Sequence, residues 1–260
     1  MKKAMKTNQE KSREYFSKIA LERNDKTTVA GRYAFDAGKE EAIVGDIIQK
    51  IDMQEKQSFL DIGCGFGFVV ESLLKHATGQ HSAVTLLYIP EVIDAVEREL
   101  IAGKYRDIRL LRGLFPKDFD KSQLKSFDRV LLYSVLHYSD DPLANVEAAV
   151  KLLNPYGKLL LGDLPNISKK GRFLSSSLGK RFEAKYRNTS IDQIPNYKDH
   201  LDYVSKMKSD PNYFSLIDDD FVRTVWKKYS KRGYEVYVLP QPANLPFCLT
   251  SEDILICRYD

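Results

Sequence analysis

The sequence predicts an α/β fold: a seven-stranded, mostly parallel sheet with helices on both faces, ending in an antiparallel pair that supplies one antiparallel edge strand. Three observations carry this. From Phe59 onward, short apolar runs alternate with amphipathic segments of helical period. Strands separated by helices of that length make βαβ units, whose crossovers give a parallel sheet. The last two apolar runs are joined by a loop too short for a crossover helix, so that pair is antiparallel.

The elements follow in order. Residues 1–55 read as a polar, helical extension, with apolar residues at helical spacing over Glu14–Leu21 and again over Ala37–Ile51, where Ile43, Ile47 and Ile51 lie four apart. Ser58–Ile62 is the first strand, followed by a glycine cluster and a helix over Phe68–His76. Ala83–Tyr88 is the second strand, and Pro90 opens a helix to Ile101, because proline lacks only an N–H that the first helical position does not use. Ile108–Leu111 and Phe127–Tyr133 are strands three and four. Asp141 and Pro142 form a cap and first-turn pair for a helix to Leu153, with Leu143, Val146, Val150 and Leu153 on one face. Lys158–Leu161 is strand five, apolar enough to be buried on both faces. Asp218–Asp220 start a helix over Phe221–Lys231 that Gly233 ends, and Tyr234–Leu239 and Ile254–Cys257 are the final strands. The expected organisation is a helical extension over 1–55, a core formed by 56–164 and 232–260, and a helical cap insertion with the last core helix over 165–231.

Composition excludes several classes. The 260 residues are 43% hydrophobic and 29% charged, enough apolar matter for a core. The formal charge of +4 is too mild to imply nucleic acid. No apolar run approaches the length needed to span a bilayer, and the basic start has no apolar segment of a secretory signal. Cys64, Cys248 and Cys257 are sparse and lack metal-ligand spacing, so neither a disulfide framework nor a metal site is expected; the reducing cytoplasm is the expected compartment.

The sharpest motif is FLDIGCGFG, residues 59–67: a strand, three glycines at alternating positions, then a helix. A turn with so little side-chain bulk lets a ligand lie against the backbone, and the helix start offers free N–H groups. The dinucleotide fingerprint G-x-G-x-x-G fails in both registers, since Phe68 and Val70 stand where the third glycine belongs. A P-loop fails because no Gly-Lys-Ser/Thr follows.

Here the sequence resembles the class I S-adenosylmethionine-dependent methyltransferases, over roughly residues 55–165 and more loosely the last two strands. LDIGCGFG is similar to that family's first motif, FDRVLLYSVLHYSDDP (127–142) to its fourth-strand motif, and LLNPYGKLLLGD (152–163) to the segment entering strand five. The resemblance implies a Rossmann-like sheet with one reversed strand and S-adenosyl-L-methionine as cofactor. It further implies cofactor contacts from Asp61, Gly63, Cys64, Gly65, Gly67, Tyr88, Ile89, Leu114, Phe115, Tyr133 and Ser134. Three positions depart from the pattern. Tyr88 stands where an acid usually holds the ribose hydroxyls, with Glu91 three residues on as a substitute; Gly113-Leu114-Phe115 carries no acid; and Tyr156 replaces a glycine. A phenol makes one hydrogen bond where a carboxylate accepts two.

His137, just after strand four, is the candidate base for an alcohol acceptor, since histidine titrates near neutrality. Tyr138, Arg172, His200, Gln241 and Asn244 are candidates for acceptor binding. Tyr133-Ser134-Val135-Leu136 replaces the Asn/Asp-Pro-Pro-aromatic string of enzymes that methylate DNA adenine or glutamine, which argues against those substrates. The basic stretch Lys169–Arg187 points to an anionic small molecule, such as a sugar nucleotide, a phosphorylated metabolite or an acidic glycan. The segment NISKKGRF and the Pro-rich loop 239–247 are similar to bacterial methyltransferases that modify capsule or lipopolysaccharide precursors. Two other readings stay open: a non-catalytic binding protein on the same fold, motivated by Tyr88, and an RNA methyltransferase. The aromatic residues within the basic stretch fall at core-like spacing, which argues against RNA.

Overall fold

The structure, a computed structural model, describes residues 6–22, 38–105, 107–120, 124–210 and 217–260. Ala37 and residues 1–5 of the basic start lie outside the described residues, as do 211–216 of the expected insertion.

Helix α1 spans Asn8–Glu22 and α2 Glu40–Ile51. Then follow β1 (Ser58–Ile62), α3 (Phe68–Gly79), β2 (Ala83–Tyr88) and α4 (Pro90–Val96), the last continuing as a π-turn over Glu97–Ile101. After β3 (Ile108–Arg112) and β4 (Phe127–Tyr133), a 3-10 turn over Leu136–Tyr138 leads to α5 (Pro142–Val150) and β5 (Leu153–Pro165). Helices α6 (Ile167–Ser175), α7 (Ser177–Tyr186), α8 (His200–Ser209) and α9 (Asp219–Ser230) precede β6 (Glu235–Leu239) and β7 (Ser251–Cys257). The sheet order is β3-β2-β1-β4-β5-β7-β6. Strands β1 to β5 pair in parallel and β7 runs antiparallel to both of its neighbours. The expected terminal hairpin is present; within it the reversed strand β7 lies inside and β6 takes the edge.

The period of two along each strand divides the interior. Phe59, Leu86, Leu131, Leu160 and Leu255 face a core completed by Ile43, Ile47 and Ile51 of α2 and by Leu73 and Leu74 of α3. Their neighbours Leu60, Leu87, Val130, Leu132, Leu161 and Ile254 face the opposite core, closed by Val146 of α5 and Val225 and Tyr229 of α9. The caps form as the side chains dictate: Asp141 accepts from Ala144 N at 3.0 Å and Asp218 from Phe221 N at 2.9 Å.

Two boundaries differ from the sequence reading. Helix α5 stops at Val150, and Leu153, expected on its apolar face, instead opens β5 opposite Phe127. Strand β5 therefore runs thirteen residues, well beyond Lys158–Leu161. A register shift between Phe127 and Arg129 absorbs the turn around Tyr156 and Gly157, and a second, between Leu161 and Leu164, accommodates Asp163 against β7.

A buried polar network ties α2 to the sheet. Lys50 Nζ donates to Asp46 Oδ2 at 2.6 Å, to Asp253 Oδ2 at 2.7 Å and to Pro240 O at 3.2 Å. Asp253, fully buried on β7, also accepts from Asp163 N at 2.8 Å and from Gln241 Nε2 at 3.1 Å.

Candidate functional site

The chain reverses its winding direction between β1 and β4, and in open α/β sheets such a switch point leaves a crevice at the C-terminal strand ends. Two clefts lie there. The first encloses about 570 Å³ open to solvent and is lined by Asp61 of β1, the loop residues Gly63 to Gly67, Val69, Val70 and Leu73 of α3, Tyr88, and Leu131, Tyr133, Ser134 and Val135 at the end of β4. The second, of about 450 Å³, shares Gly63, Tyr88 and Val135 with the first and continues past Leu114 and Phe115 to Tyr138, Ser139 and Asn145. The two adjoin at those shared residues and form one groove.

The glycine loop is built to be thin. Gly63 N donates to Leu87 O at 2.7 Å, which carries the β1–β2 ladder one residue past the strand. Gly63 has φ +75°, and a Cβ there would sit 2.5 Å from Val135 Cγ2, so any side chain would collide with the wall between the clefts. On β5, Gly162 gives the same kind of room: a Cβ would run into the Tyr133 ring.

Asp61 is the charged residue among those lining the first cleft. Its carboxyl is 4% exposed, and burial pushes its pKa from 3.8 to about 7. Among the described residues it makes no side-chain hydrogen bond. A buried carboxyl without a partner, facing a void, is poised to take a donor or a cation. Burial likewise pushes the Cys64 thiol and the Tyr88 phenol upward, so both stay neutral.

The structure brings Asp61, Gly63, Cys64, Gly65, Gly67, Tyr88, Tyr133 and Ser134 together in the first cleft, and Leu114, Phe115 and Tyr138 in the second. Ile89 is separate: it is 1% exposed and packs in the core at the start of α4. Glu91 follows it with one carboxylate oxygen, Oε2, buried and unpartnered. His137 is half-buried on the turn after β4, beside the lining residue Tyr138, with ring centroids 4.0 Å apart. Its Nδ1 is buried without a partner, and burial lowers its pKa from 6.5 to about 4.

The remaining acceptor candidates do not line either cleft. Arg172 is bound to Asp219 at 2.5 and 3.2 Å and lines a separate, open depression with Trp226 and Val238. His200 begins α8, where its backbone lies against Gly171 of α6. Gln241 is buried on Asp253 and Asp163, and Asn244 is exposed on the loop before β7. Sequence reasoning missed Val135, Val69 and Val70 as lining residues. It also missed Gln9, Ser12 and Phe16 of α1, which line the groove from above. A lining contact made by a segment some fifty residues before the glycine loop leaves no local signal beyond helical spacing.

Strand order, the reversed β7 and the glycine-floored groove together define a Rossmann-like methyltransferase fold. Residues 60–159 match the family model described as a methyltransferase domain. The chain is 30% identical over 105 residues to a ubiquinone biosynthesis O-methyltransferase of Xanthomonas oryzae pv. oryzae (strain PXO99A), covering 40% of this chain and 42% of that protein. The same figures hold for its namesake from Xanthomonas campestris pv. campestris (strain B100). The match thus spans about two fifths of the length of these curated relatives. Among solved structures, the plantazolicin methyltransferase BpumL in complex with SAH superposes with a TM-score of 0.56 at 15% identity, over 96% of this chain and 99% of that one. The methyltransferase domain of a bacterial CtHen1-CN gives 0.52 at 15% identity, over 84% and 98%. At such identities the likeness is one of fold. Among the described residues, no helix is long and apolar enough to cross a membrane.

Proposed function

We propose that this protein is an S-adenosylmethionine-dependent methyltransferase that methylates an oxygen of a small molecule. The observation that carries this reading is the glycine-floored cleft with Asp61, a buried and unpartnered carboxyl, at its end. Those residues fit the cofactor: Asp61 answers an ammonium group, Gly63 leaves space that a Cβ would fill, and the aromatic and apolar walls suit a nucleoside. S-adenosylmethionine, when bound, supplies a methyl group already activated as a sulfonium, so the protein's task is to position the acceptor and exclude water.

Oxygen as the target is supported by the matching relatives, which are O-methyltransferases by name. A hydroxyl must lose its proton as the new bond forms. His137 is the imidazole on the β4 turn, beside Tyr138 and outside the lining of both clefts. Burial lowers its pKa to about 4 and keeps it neutral, and the base role requires its ring to turn toward the acceptor when one binds. Tyr133, at the end of β4 in the first cleft, gives the acceptor side an aromatic wall. The anionic acceptor expected from Lys169–Arg187 loses its best anchor, because Arg172 is neutralised by Asp219 outside the groove. An uncharged acceptor bearing a phenol or sugar hydroxyl suits the groove better. The three free cysteines fit a reducing compartment.

The test is calorimetric titration with S-adenosylhomocysteine, then methyl transfer from labelled S-adenosylmethionine to a panel of phenols, sugars and sugar nucleotides. No binding by a chain that unfolds cooperatively would sink the reading. In the active enzyme, His137→Ala should lower kcat by about 10²–10⁴-fold with S-adenosylhomocysteine affinity unchanged. Equal loss of both would remove His137 from the base role.

A further inference from the structure

Helix α1 does not pack as an ordinary amphipathic helix. Gln9, Ser12, Phe16, Ile19 and Ala20 lie three to four residues apart and share one face. The C-terminal half of that face is apolar and conventional: Ile19 and Ala20 are 8% and 4% exposed in the core. The N-terminal half is polar, although it is turned inward. Gln9 and Ser12 are half-buried and line the second cleft; Phe16 lines the first. The Phe16 ring meets Tyr88 edge-on at 5.9 Å and Tyr138 at 5.4 Å, so three aromatic rings frame the place where the two clefts join.

These polar groups have little to do within the protein. The Ser12 hydroxyl bonds back to Gln9 O at 3.1 Å, within its own helix. The Gln9 side-chain amide makes no hydrogen bond among the described residues. Both side chains are half-buried at the rim of the second cleft, where their polar groups stay open to a ligand in it. What they face is a slot walled by Tyr88, Leu114, Phe115 and Tyr138 and edged by Gln9, Ser12 and Asn145. Flat apolar walls with hydrogen-bonding groups at the rim are the chemistry that receives a nucleobase. The floor of the groove lacks acids at both expected places, the end of β2 and the turn after β3.

We infer that α1 is the nucleoside-recognition element of this protein, with Gln9 and Ser12 reading polar edges of the nucleoside and Phe16 closing it against Tyr88 and Tyr138. This rests on the methyltransferase reading and deepens it. The consequence is coupling: the nucleoside and α1 dock together, so ligand stabilises the helix and loss of the helix face costs ligand.

The test uses the full chain and two probes, S-adenosylhomocysteine and adenosine. Phe16→Ala should weaken binding of both by about tenfold or more. The Gln9→Ala/Ser12→Ala double variant, which removes no core side chain, should weaken both by about fivefold or more. Amide exchange in 8–22 should slow at least about tenfold on saturation with S-adenosylhomocysteine. Variants that unfold cooperatively and bind both probes within twofold of the parent would overturn the proposal while leaving the methyltransferase reading intact. So would a loss confined to S-adenosylhomocysteine with adenosine unaffected, or unchanged exchange in α1. Failure of the parent chain itself to bind S-adenosylhomocysteine removes the methyltransferase reading, and this proposal with it.

Discussion

Asp61 shows how one side chain sets function against stability. Burial raises its pKa to about 7, so between its ordinary 3.8 and that value the folded chain holds a proton that the unfolded chain releases. Its contribution to stability is therefore complete below about pH 4 and is lost as the pH rises through 7. By linkage the penalty at pH 8 reaches about 4 kcal/mol at most, from roughly three pKa units at about 1.4 kcal/mol each. Asp61→Asn removes the ionisable group while keeping its shape. It should raise the melting temperature at pH 8, raise it much less at pH 4, and abolish measurable S-adenosylhomocysteine binding. The parent chain carries the complementary signature. A carboxylate that must ionise to hold an ammonium group is only about one tenth competent at pH 6 and about nine tenths at pH 8, so affinity should rise about tenfold over that interval. Calorimetry at both pH values in matched ionic strength decides it. The neighbours Cys64 and Tyr88 are held neutral by burial and do not titrate in this window. A flat affinity would mean that Asp61 is not the ammonium partner.

At the scale of elements, most of what the sequence announces is local. The caps at Asp141 and Asp218, the proline that opens α4 and the short apolar runs of β1, β2 and β4 all involve neighbours within a few residues, and each forms where it is expected. The glycine loop is local in the same way, and its conformational demand can be tested directly. Gly63→Ala must hold a Cβ against Val135 at a positive φ; the collision and the strain together should cost about 2–4 kcal/mol and close the junction between the clefts. The expected result is a melting temperature several degrees lower and no detectable S-adenosylhomocysteine binding. An alanine variant that binds normally would show that the junction is wider than Val135 allows. What failed at this scale failed through pairing at a distance. Leu153 has the spacing of the α5 face, but strand pairing with Phe127 takes it out of the helix. Phe16 reads as one more apolar residue of a polar helix, and only the meeting of α1 with Tyr88 and Tyr138 makes it part of the groove. Gln241 reads as an acceptor-binding residue because the proline-stiffened loop that joins the last two strands carries it. It is instead buried against Asp253, a partner supplied by the next strand.

Over the whole molecule, the buried polar network fixes the helical layer to the end of the sheet that bears the groove. Asp46 and Lys50 come from α2, Asp163 from the end of β5, Asp253 from β7 and Gln241 from the loop between β6 and β7, so elements far apart in the chain converge on Asp253, which Lys50 pairs with Asp46. No pattern of hydrophobicity announces this. Lys50 occupies a helix position that reads as solvated, yet its side chain is only 10% exposed. Burying ionised groups is costly, and the arrangement persists because Lys50 compensates Asp46 and Asp253 together. Lys50→Met keeps the length of the stem and removes the charge, leaving both carboxylates without their cation. Burial already raises the Asp46 pKa against the pull of Lys50, and without that pull it rises further. The cost of Lys50→Met should thus be about 3–5 kcal/mol at pH 8, where the Asp46 carboxylate must stay ionised, and should shrink toward pH 5 as protonation of Asp46 relieves it. Urea denaturation at the two pH values measures the difference. The Asp46→Asn/Lys50→Met double variant should recover part of the loss at pH 8, because one of the stranded charges is then gone. A Lys50→Met penalty equal at both pH values would show that the network holds α2 by packing of the lysine stem, and that its charges are screened in some other way.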